Sequence, residues 1–142
     1  MIRVVLDANV IVGSFAASSG VLSEIAGAWQ SRQFQVVISE HLLGEAQIAW
    51  QKPYWVRRYA PDETNRFVAI LRRRAEFVVP TPGVSRVATH KEDDLVIATA
   101  IAGDADYLVT GDKELLRLRS YKTVAIVSPQ EFLEILEAED AD

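Results

Sequence analysis

Short apolar runs alternate with segments of helical spacing along the whole chain. The β-branched run at 2–6 predicts a buried strand, and residues 19–31, with apolar positions three and four apart, predict a helix. The alternation continues with strands at 34–38, 77–79, 107–109 and 123–127. Between and after them, helices are predicted to follow the capping residues Ser39 and Ser128, to open at Pro61 and to start at Glu92 or Asp93. Strands that alternate with helices indicate an α/β three-layer sandwich, with a parallel sheet covered on both faces.

Length and composition are those of one globular domain. The chain has 142 residues, 49% hydrophobic and 25% charged, enough to bury a core by itself. No linker or repeat divides it, so we expect a single domain over 1–142 with a frayed acidic tail at 137–142. The chain has no cysteine, which excludes disulfides and thiolate chemistry. Because it lacks a secretory signal and an apolar run of about 20 residues, we expect a cytoplasmic protein that does not contact a membrane.

Four acidic residues fall where the predicted topology would bring them to one edge of the sheet. They are Asp7, Glu45, Asp94 and Asp112. Ligands of open parallel sheets bind outside the carboxyl ends of the strands, where Asp7 and Asp112 follow their strands directly or within three residues. Like charges converge only at a cost, and a divalent cation such as Mg²⁺ or Mn²⁺ would remove that cost. Such an ion can activate water and stabilise charge on a phosphoryl group.

Each of these positions also has a simpler explanation. An aspartate after a strand is often a turn or capping residue. Asp93, Asp94 and Asp112 all precede possible helix starts, where an acid interacts favourably with the helix dipole. Spacing alone therefore leaves both interpretations open.

Ordered motifs along the chain resemble those of the PIN-domain nucleases, and within them the VapC-like toxins of bacterial toxin–antitoxin modules. The matching stretches are Val4-Val-Leu-Asp-Ala-Asn-Val-Ile-Val12, Ser39-Glu-His-Leu-Leu-Gly-Glu45, Glu92-Asp-Asp-Leu-Val-Ile-Ala-Thr-Ala100, Ala105-Asp-Tyr-Leu-Val-Thr-Gly-Asp-Lys-Glu-Leu-Leu116 and Val127-Ser-Pro-Gln-Glu-Phe-Leu133. The resemblance covers essentially the entire chain. Each motif alone is weak evidence for the family, but the occurrence of all of them in the family's order makes the set specific.

The resemblance implies a PIN-like fold with a central five-stranded parallel sheet. It also implies dependence on Mg²⁺ or Mn²⁺, and hydrolysis of RNA phosphodiester bonds by a metal-activated water. Carried over by position, the four catalytic acids would be Asp7, Glu45, Asp94 and Asp112, with Asp7, Asp94 and Asp112 as the metal ligands.

Four further positions are expected to support those acids. Asn9 and Thr110 match polar positions that would orient ligands or water. We prefer Asp94 over Asp93 as the ligand because the family's helical pattern follows Asp94, which leaves Asp93 as a cap or auxiliary ligand. Glu114 stands where many relatives carry an aspartate, and we expect it to act through water.

The charge pattern bears on the partners of the protein. The net charge of −5 does not favour nucleic acid, but basic residues cluster in the middle of the chain, and we expect Arg57 and Arg58 to contact RNA. The interleaved aromatics could stack on bases or lie in the core; they are Trp50, Tyr54, Trp55 and Tyr59. The resemblance further implies an antitoxin that docks over the acidic cleft and a homodimer.

Two other functions compete with the metal-dependent ribonuclease. An aspartate-based phosphatase would also place Asp7 after a strand, but it would want a second aspartate where this chain has Asn9. A non-catalytic RNA- or protein-binding module could share the nuclease-like fold. Metal binding at the acids distinguishes the ribonuclease from the binding module.

Overall fold

The computed structural model describes residues 1–88 and 90–141. Within them the strands are β1 (Ile2–Leu6), β2 (Phe34–Ile38), β3 (Glu76–Phe77), β4 (Tyr107–Val109), β5 (Ser120–Tyr121) and β6 (Val124–Val127). The helices are α1 (Ala8–Ala16), α2 (Val21–Gln30), α3 (Glu40–Trp50), α4 (Pro53–Val56), α5 (Pro61–Arg74), α6 (Lys91–Ala102), α7 (Lys113–Leu118) and α8 (Pro129–Ala141).

The strands form one mostly parallel sheet in the order β3-β2-β1-β4-β6-β5, which confirms the predicted α/β fold. The count of five strands was one too low, because β5 pairs antiparallel with β6 at the edge of the sheet. Lys122, with a φ of 53°, lies in the turn that joins these two strands. The turn lacks the Asn-Gly or Asp-Gly signal that marks most tight hairpins, so the sequence pattern did not reveal it.

Helix α1 was not predicted. Most of its residues are apolar, and Asn9 is its exposed polar residue, so it lacks the broad polar face by which an amphipathic surface helix is recognised. Ser14 is a buried residue of this helix. The helix begins directly after Asp7, whose carboxylate accepts a hydrogen bond from the Ala8 N–H at 2.9 Å.

The remaining predicted elements lie close to their expected positions. Ser39 caps α3 through a hydrogen bond that its Oγ accepts from the Leu42 N–H at 3.2 Å, as expected for a serine at that position. Strand β3 ends at Phe77 rather than at residue 79. The expected frayed tail is helical as far as Ala141, and Asp142 lies outside the described residues.

Most of the interleaved aromatic side chains belong to the core rather than to a nucleic-acid surface. Trp50 is buried, and its ring packs against Phe15 and Phe67. Trp55 and Tyr59 are half-buried and stack on each other with ring centroids 6.2 Å apart. Burial withdraws Trp50 from base stacking, and the contacts of Trp50 and Tyr59 with Phe67 join this region to α5. Tyr54 alone of the expected four is exposed.

Among the described residues, no single helix combines the length and apolar character needed to cross a membrane; α1 with α2, a pair bent by 87°, meets that test by length and composition only.

The sheet order places β1 and β4 side by side at its centre. From β1 the chain builds β2 and β3 on one side, and then crosses to build β4, β6 and β5 on the other. Loops that leave adjacent strands in opposite directions open a crevice between them at the carboxyl edge of the sheet. The segments that follow β1 and β4 are those that carry Asp7 and Asp112.

Candidate metal centre

A cavity of about 600 Å³ lies at this edge of the sheet. Its acidic lining consists of Asp7, Glu45, Glu92, Asp93 and Asp112, and its other lining residues are Ala8, Asn9, Ile48, Ala49, Lys52 and Gly111. Three of the four predicted catalytic acids therefore share one cavity. The fourth acid in it is not Asp94 but its neighbour, and Glu92 is an additional one.

Asp7 is held in place by two hydrogen bonds at the carboxyl end of β1. Its Oδ2 accepts a hydrogen bond from the Thr110 hydroxyl at 2.7 Å, and its Oδ1 accepts one from the Ala8 N–H. The same Thr110 hydroxyl accepts from the Asp112 N–H at 3.0 Å. The fully buried Thr110 thus links the segment after β1 to the segment after β4. Burial raises the pKa of Asp7, the Thr110 hydrogen bond opposes that rise, and the negative charge of Asp112 adds to it.

Glu45 reaches the cavity from the second turn of α3. Its Oε1 lies 2.7 Å from Nε2 of His41, one helical turn earlier, an ion pair when that histidine is protonated. His41 therefore contacts the buried Oε1 directly. Burial raises the pKa of Glu45, His41 opposes the rise, and the charges of Asp7 and Glu92 reinforce it.

Among the cavity acids, Asp93 shows the effect of its acidic neighbours on its pKa most clearly. Its pKa is raised to about 6, first by burial and then by the charges of Asp112 and Asp7, with a smaller contribution from Glu45; His90 acts in the opposite direction. Because the other three acids all raise this pKa, Asp93 lies within their common field. A carboxylate in such a field holds its negative charge at a cost.

Asp94 has a different environment from the one we expected. Its carboxylate is buried and accepts three backbone hydrogen bonds, from the N–H groups of Arg86, Val87 and Ala88 at 3.0, 3.1 and 2.7 Å. Both of its oxygens are occupied by the loop that precedes α6, and it does not line the cavity. Successive residues of a helix point about 100° apart, since one turn takes 3.6 residues. The structure therefore assigns the cavity to Asp93 and the support of the loop to Asp94.

The remaining predicted site residues divide between the cavity and its surroundings. Asp112 lines the cavity and also caps α7, accepting from the N–H groups of Glu114 and Leu115. Asn9 is an exposed residue of the cavity wall. Glu114 does not line the cavity; its carboxylate lies 3.8 Å from Nε2 of His90.

The two predicted RNA contacts, Arg57 and Arg58, lie outside the cavity lining. The Arg58 guanidinium covers the ring of Tyr54 at 3.5 Å from its centroid and donates to the Tyr54 carbonyl at 2.8 Å. The guanidinium is thus already engaged with Tyr54 of α4. Lys52 is, among the described residues, the basic side chain of the cavity wall.

Sequence reasoning missed Glu92, Ile48 and Lys52 as cavity residues. The last two could have been found from spacing, because they follow Glu45 at i+3 and i+7 and hence lie on the same helix face. Glu92 offered no such signal, because the start of α6 was ambiguous between neighbouring acids.

The donor set fits a divalent cation. Its members are carboxylates, the ligands that Mg²⁺ and Mn²⁺ prefer. Burial and mutual repulsion raise the pKa values of Asp7, Glu45 and Asp93, and a bound cation would offset both effects. Among residues 1–88 and 90–141, no three acidic or histidine side chains are already positioned around one point as a ligand set, so ion binding requires side-chain adjustment.

The fold and the cavity together define an α/β protein with an acidic centre in the crevice where β1 and β4 end. Residues 3–114 match the family model described as the PIN domain, and the chain belongs to the PIN-domain family. The members of this family are nucleases that generally use divalent metal ions.

A solved structure supports the same fold. It is the crystal structure of VapBC2 from Rickettsia felis bound to a DNA fragment from their promoter, with a TM-score of 0.54. The alignment covers 89% of this chain and 98% of that chain at 20% sequence identity, a similarity that establishes the fold alone. No curated protein matches the chain.

Proposed function

We propose that this PIN-domain protein is an endoribonuclease that depends on Mg²⁺ or Mn²⁺. The observation that carries the proposal is the shared field of Asp7, Glu45, Asp93 and Asp112, in which the pKa of Asp93 rises to about 6. A protein gains nothing in stability by holding four carboxylates at one edge of a sheet, so their convergence favours a role in binding a cation.

In this proposal the chain's own residues supply position and charge. Asp7, Asp93 and Asp112 hold the metal, with Asp93 in the place that the sequence suggested for Asp94. Thr110 fixes the orientation of Asp7 through its hydroxyl, and Glu45 completes the acidic wall. When bound, the metal supplies a lowered pKa for coordinated water and stabilises charge on the phosphoryl group. Glu45, which lines the same cavity, would accept a proton from water at the site.

The choice of RNA, rather than DNA, and the role as the toxin of a toxin–antitoxin pair belong to the same proposal. They rest on the ordered motifs of the sequence, and the fold similarity to the Rickettsia felis VapBC2 structure is consistent with them. An antitoxin segment that covers the acidic cavity would block substrate and metal together. A cytoplasmic location and a homodimer remain predictions.

The proposal is tested by nuclease assays with a metal-binding readout. We expect the wild type to cleave single-stranded RNA with Mn²⁺ or Mg²⁺, to stop when the ion is chelated, and to melt at a higher temperature as the ion is added. Asp93→Asn should lose cleavage and the thermal response while remaining folded. The control Asp62→Asn removes an exposed carboxylate of α5, outside the cavity lining, and should behave as the wild type. Cleavage by Asp93→Asn at the wild-type rate would refute the assignment.

A further inference from the structure

One face of α3 changes from acidic through apolar to basic along the helix. It consists of Glu45, Ile48, Ala49 and Lys52, which all line the acidic cavity; we call this set the α3 face. The spacing i, i+3, i+4 and i+7 brings these residues to one side of the helix, although α3 itself ends at Trp50. The backbone continues its turn far enough for the Lys52 N–H to bond the Ala49 carbonyl at 3.1 Å.

Lys52 brings positive charge to an otherwise acidic cavity. It is exposed, and within the part of the chain that the structure describes it forms no ion pair. The free charge is therefore available to a ligand. At 1.5 Å per residue, the backbone of Lys52 lies about 10 Å along the helix axis from that of Glu45. A stacked single strand advances about 3.4 Å per nucleotide, so this distance corresponds to about three nucleotides, and fewer in an extended strand.

Ile48 lies between the acidic and basic ends of the face. Its side chain is 63% exposed although it is large and apolar, and it lines a cavity whose other side chains are mainly polar. Water is an unfavourable neighbour for such a group. A nucleobase or ribose that passes between the carboxylates and Lys52 would cover it, as apolar and aromatic side chains do in other single-strand binding sites.

We propose that the α3 face is a substrate-binding surface for single-stranded nucleic acid. Lys52 binds a backbone phosphate displaced from the reacting one, and Ile48 packs against the base or sugar between them. This inference rests on the proposed function in that the carboxylates are the reacting end. It replaces Arg57 and Arg58 with Lys52 as the principal basic contact, since Lys52 faces the cavity and they do not.

The experiment compares two pairs of matched variants by oligonucleotide binding. Lys52→Ala and Arg57→Ala each remove one exposed positive charge, and Ile48→Asn and Val56→Asn each replace an exposed apolar side chain; only the first of each pair lines the cavity. Affinity for a fluorescent single-stranded RNA is measured by anisotropy over a range of salt concentrations, with Ca²⁺ present and gels to show that the RNA is intact. Melting temperatures show that each variant is folded.

We expect Lys52→Ala to weaken binding roughly five- to tenfold and to lower the slope of log affinity against log salt by about 0.7, the value for one phosphate contact on a single strand. Ile48→Asn should weaken binding without changing the slope, because it removes no charge. Arg57→Ala and Val56→Asn should each change affinity less than twofold. Equal losses within a pair, or no binding by the wild type, would overturn the inference.

Cleavage data separate this inference from the proposed function. If the wild type cleaves RNA, Lys52→Ala should raise KM with little change in kcat, and should leave the Mn²⁺-dependent rise in melting temperature intact. If the wild type binds RNA through Lys52 but does not cleave it with either metal, the nuclease proposal fails and the binding surface stands. If the wild type cleaves and Lys52→Ala matches Arg57→Ala, the nuclease proposal stands and the binding surface fails.

Discussion

The neighbouring residues Asp93 and Asp94 should respond in opposite ways to the same chemical change. Asparagine keeps the shape of aspartate and removes its charge. The charged carboxylate of Asp94 accepts three backbone hydrogen bonds, which stabilise its negative charge. The negative charge of Asp93 is instead repelled by three other carboxylates. We therefore expect Asp94→Asn to destabilise the metal-free protein and Asp93→Asn to stabilise it.

The loss of folding stability expected for Asp94→Asn follows from the hydrogen bonds of the Asp94 carboxylate. An asparagine oxygen can still accept from Val87 and Ala88, but its NH₂ group then faces the Arg86 N–H, so that hydrogen bond is lost. A hydrogen bond to a charged group contributes about 1.5–3 kcal/mol and one to a neutral group about 0.5–1.5 kcal/mol. At the middle of these ranges, one lost bond and two weakened ones together give a loss of about 4–5 kcal/mol. For a domain of this size, that lowers the melting temperature by roughly 15 °C.

The gain in folding stability expected for Asp93→Asn is smaller and depends on pH. The pKa of Asp93 rises from 3.8 to about 6 on folding, so the protonated form is favoured in the folded state. That contribution to stability is complete below pH 3.8 and is lost as the pH rises through about 6. Above pH 7 the ionised side chain destabilises the fold. Each pKa unit corresponds to about 1.4 kcal/mol, and because Asp93 is partly exposed, we reduce the expected gain of Asp93→Asn to about 1 kcal/mol.

Urea denaturation at pH 7.5, without metal and then with Mn²⁺, measures both effects. The expected order of stability without metal is Asp93→Asn, wild type, Asp94→Asn. With Mn²⁺ the wild type and Asp94→Asn should gain stability, and Asp93→Asn should not. A stable Asp94→Asn protein that fails to respond to Mn²⁺ would refute this reasoning and restore Asp94 as the ligand.

Two further substitutions test the surroundings of the cavity and the core. Thr110→Val removes the hydroxyl that orients Asp7 and accepts from the Asp112 N–H; we expect a loss of roughly 10- to 100-fold in Mn²⁺ affinity by isothermal titration, and unchanged affinity would contradict the positioning role. Ser14→Ala removes a buried hydroxyl that has no hydrogen-bond partner among the described residues. It should raise the free energy of unfolding by about 1 kcal/mol, whereas a loss of stability in urea would show that the hydroxyl is hydrogen-bonded.

Sequence patterns located most of the fold because local signals and tertiary structure agreed there. Ser39 begins α3 as a capping residue should, and the apolar runs at β1 and β2 are central strands. Where local signals were absent, the prediction failed for a physical reason. Helix α1 is mostly apolar and largely buried, and the single exposed polar residue Asn9 is too little to mark its period. The turn at Lys122 closes a hairpin without glycine or asparagine.

The candidate site shows where a sequence alone stops being sufficient. Asp7 and Asp112 could be predicted because each follows a strand whose end defines the cavity, so topology alone places them. Asp93 and Asp94 could not be distinguished in that way, since either fits the start of α6 and both are acidic. The choice between them depends on which side of the helix faces the loop at 86–88, and three backbone N–H groups there turn to the carboxylate of Asp94. With one acid committed to that loop, its neighbour is the one left to face Asp7 and Asp112.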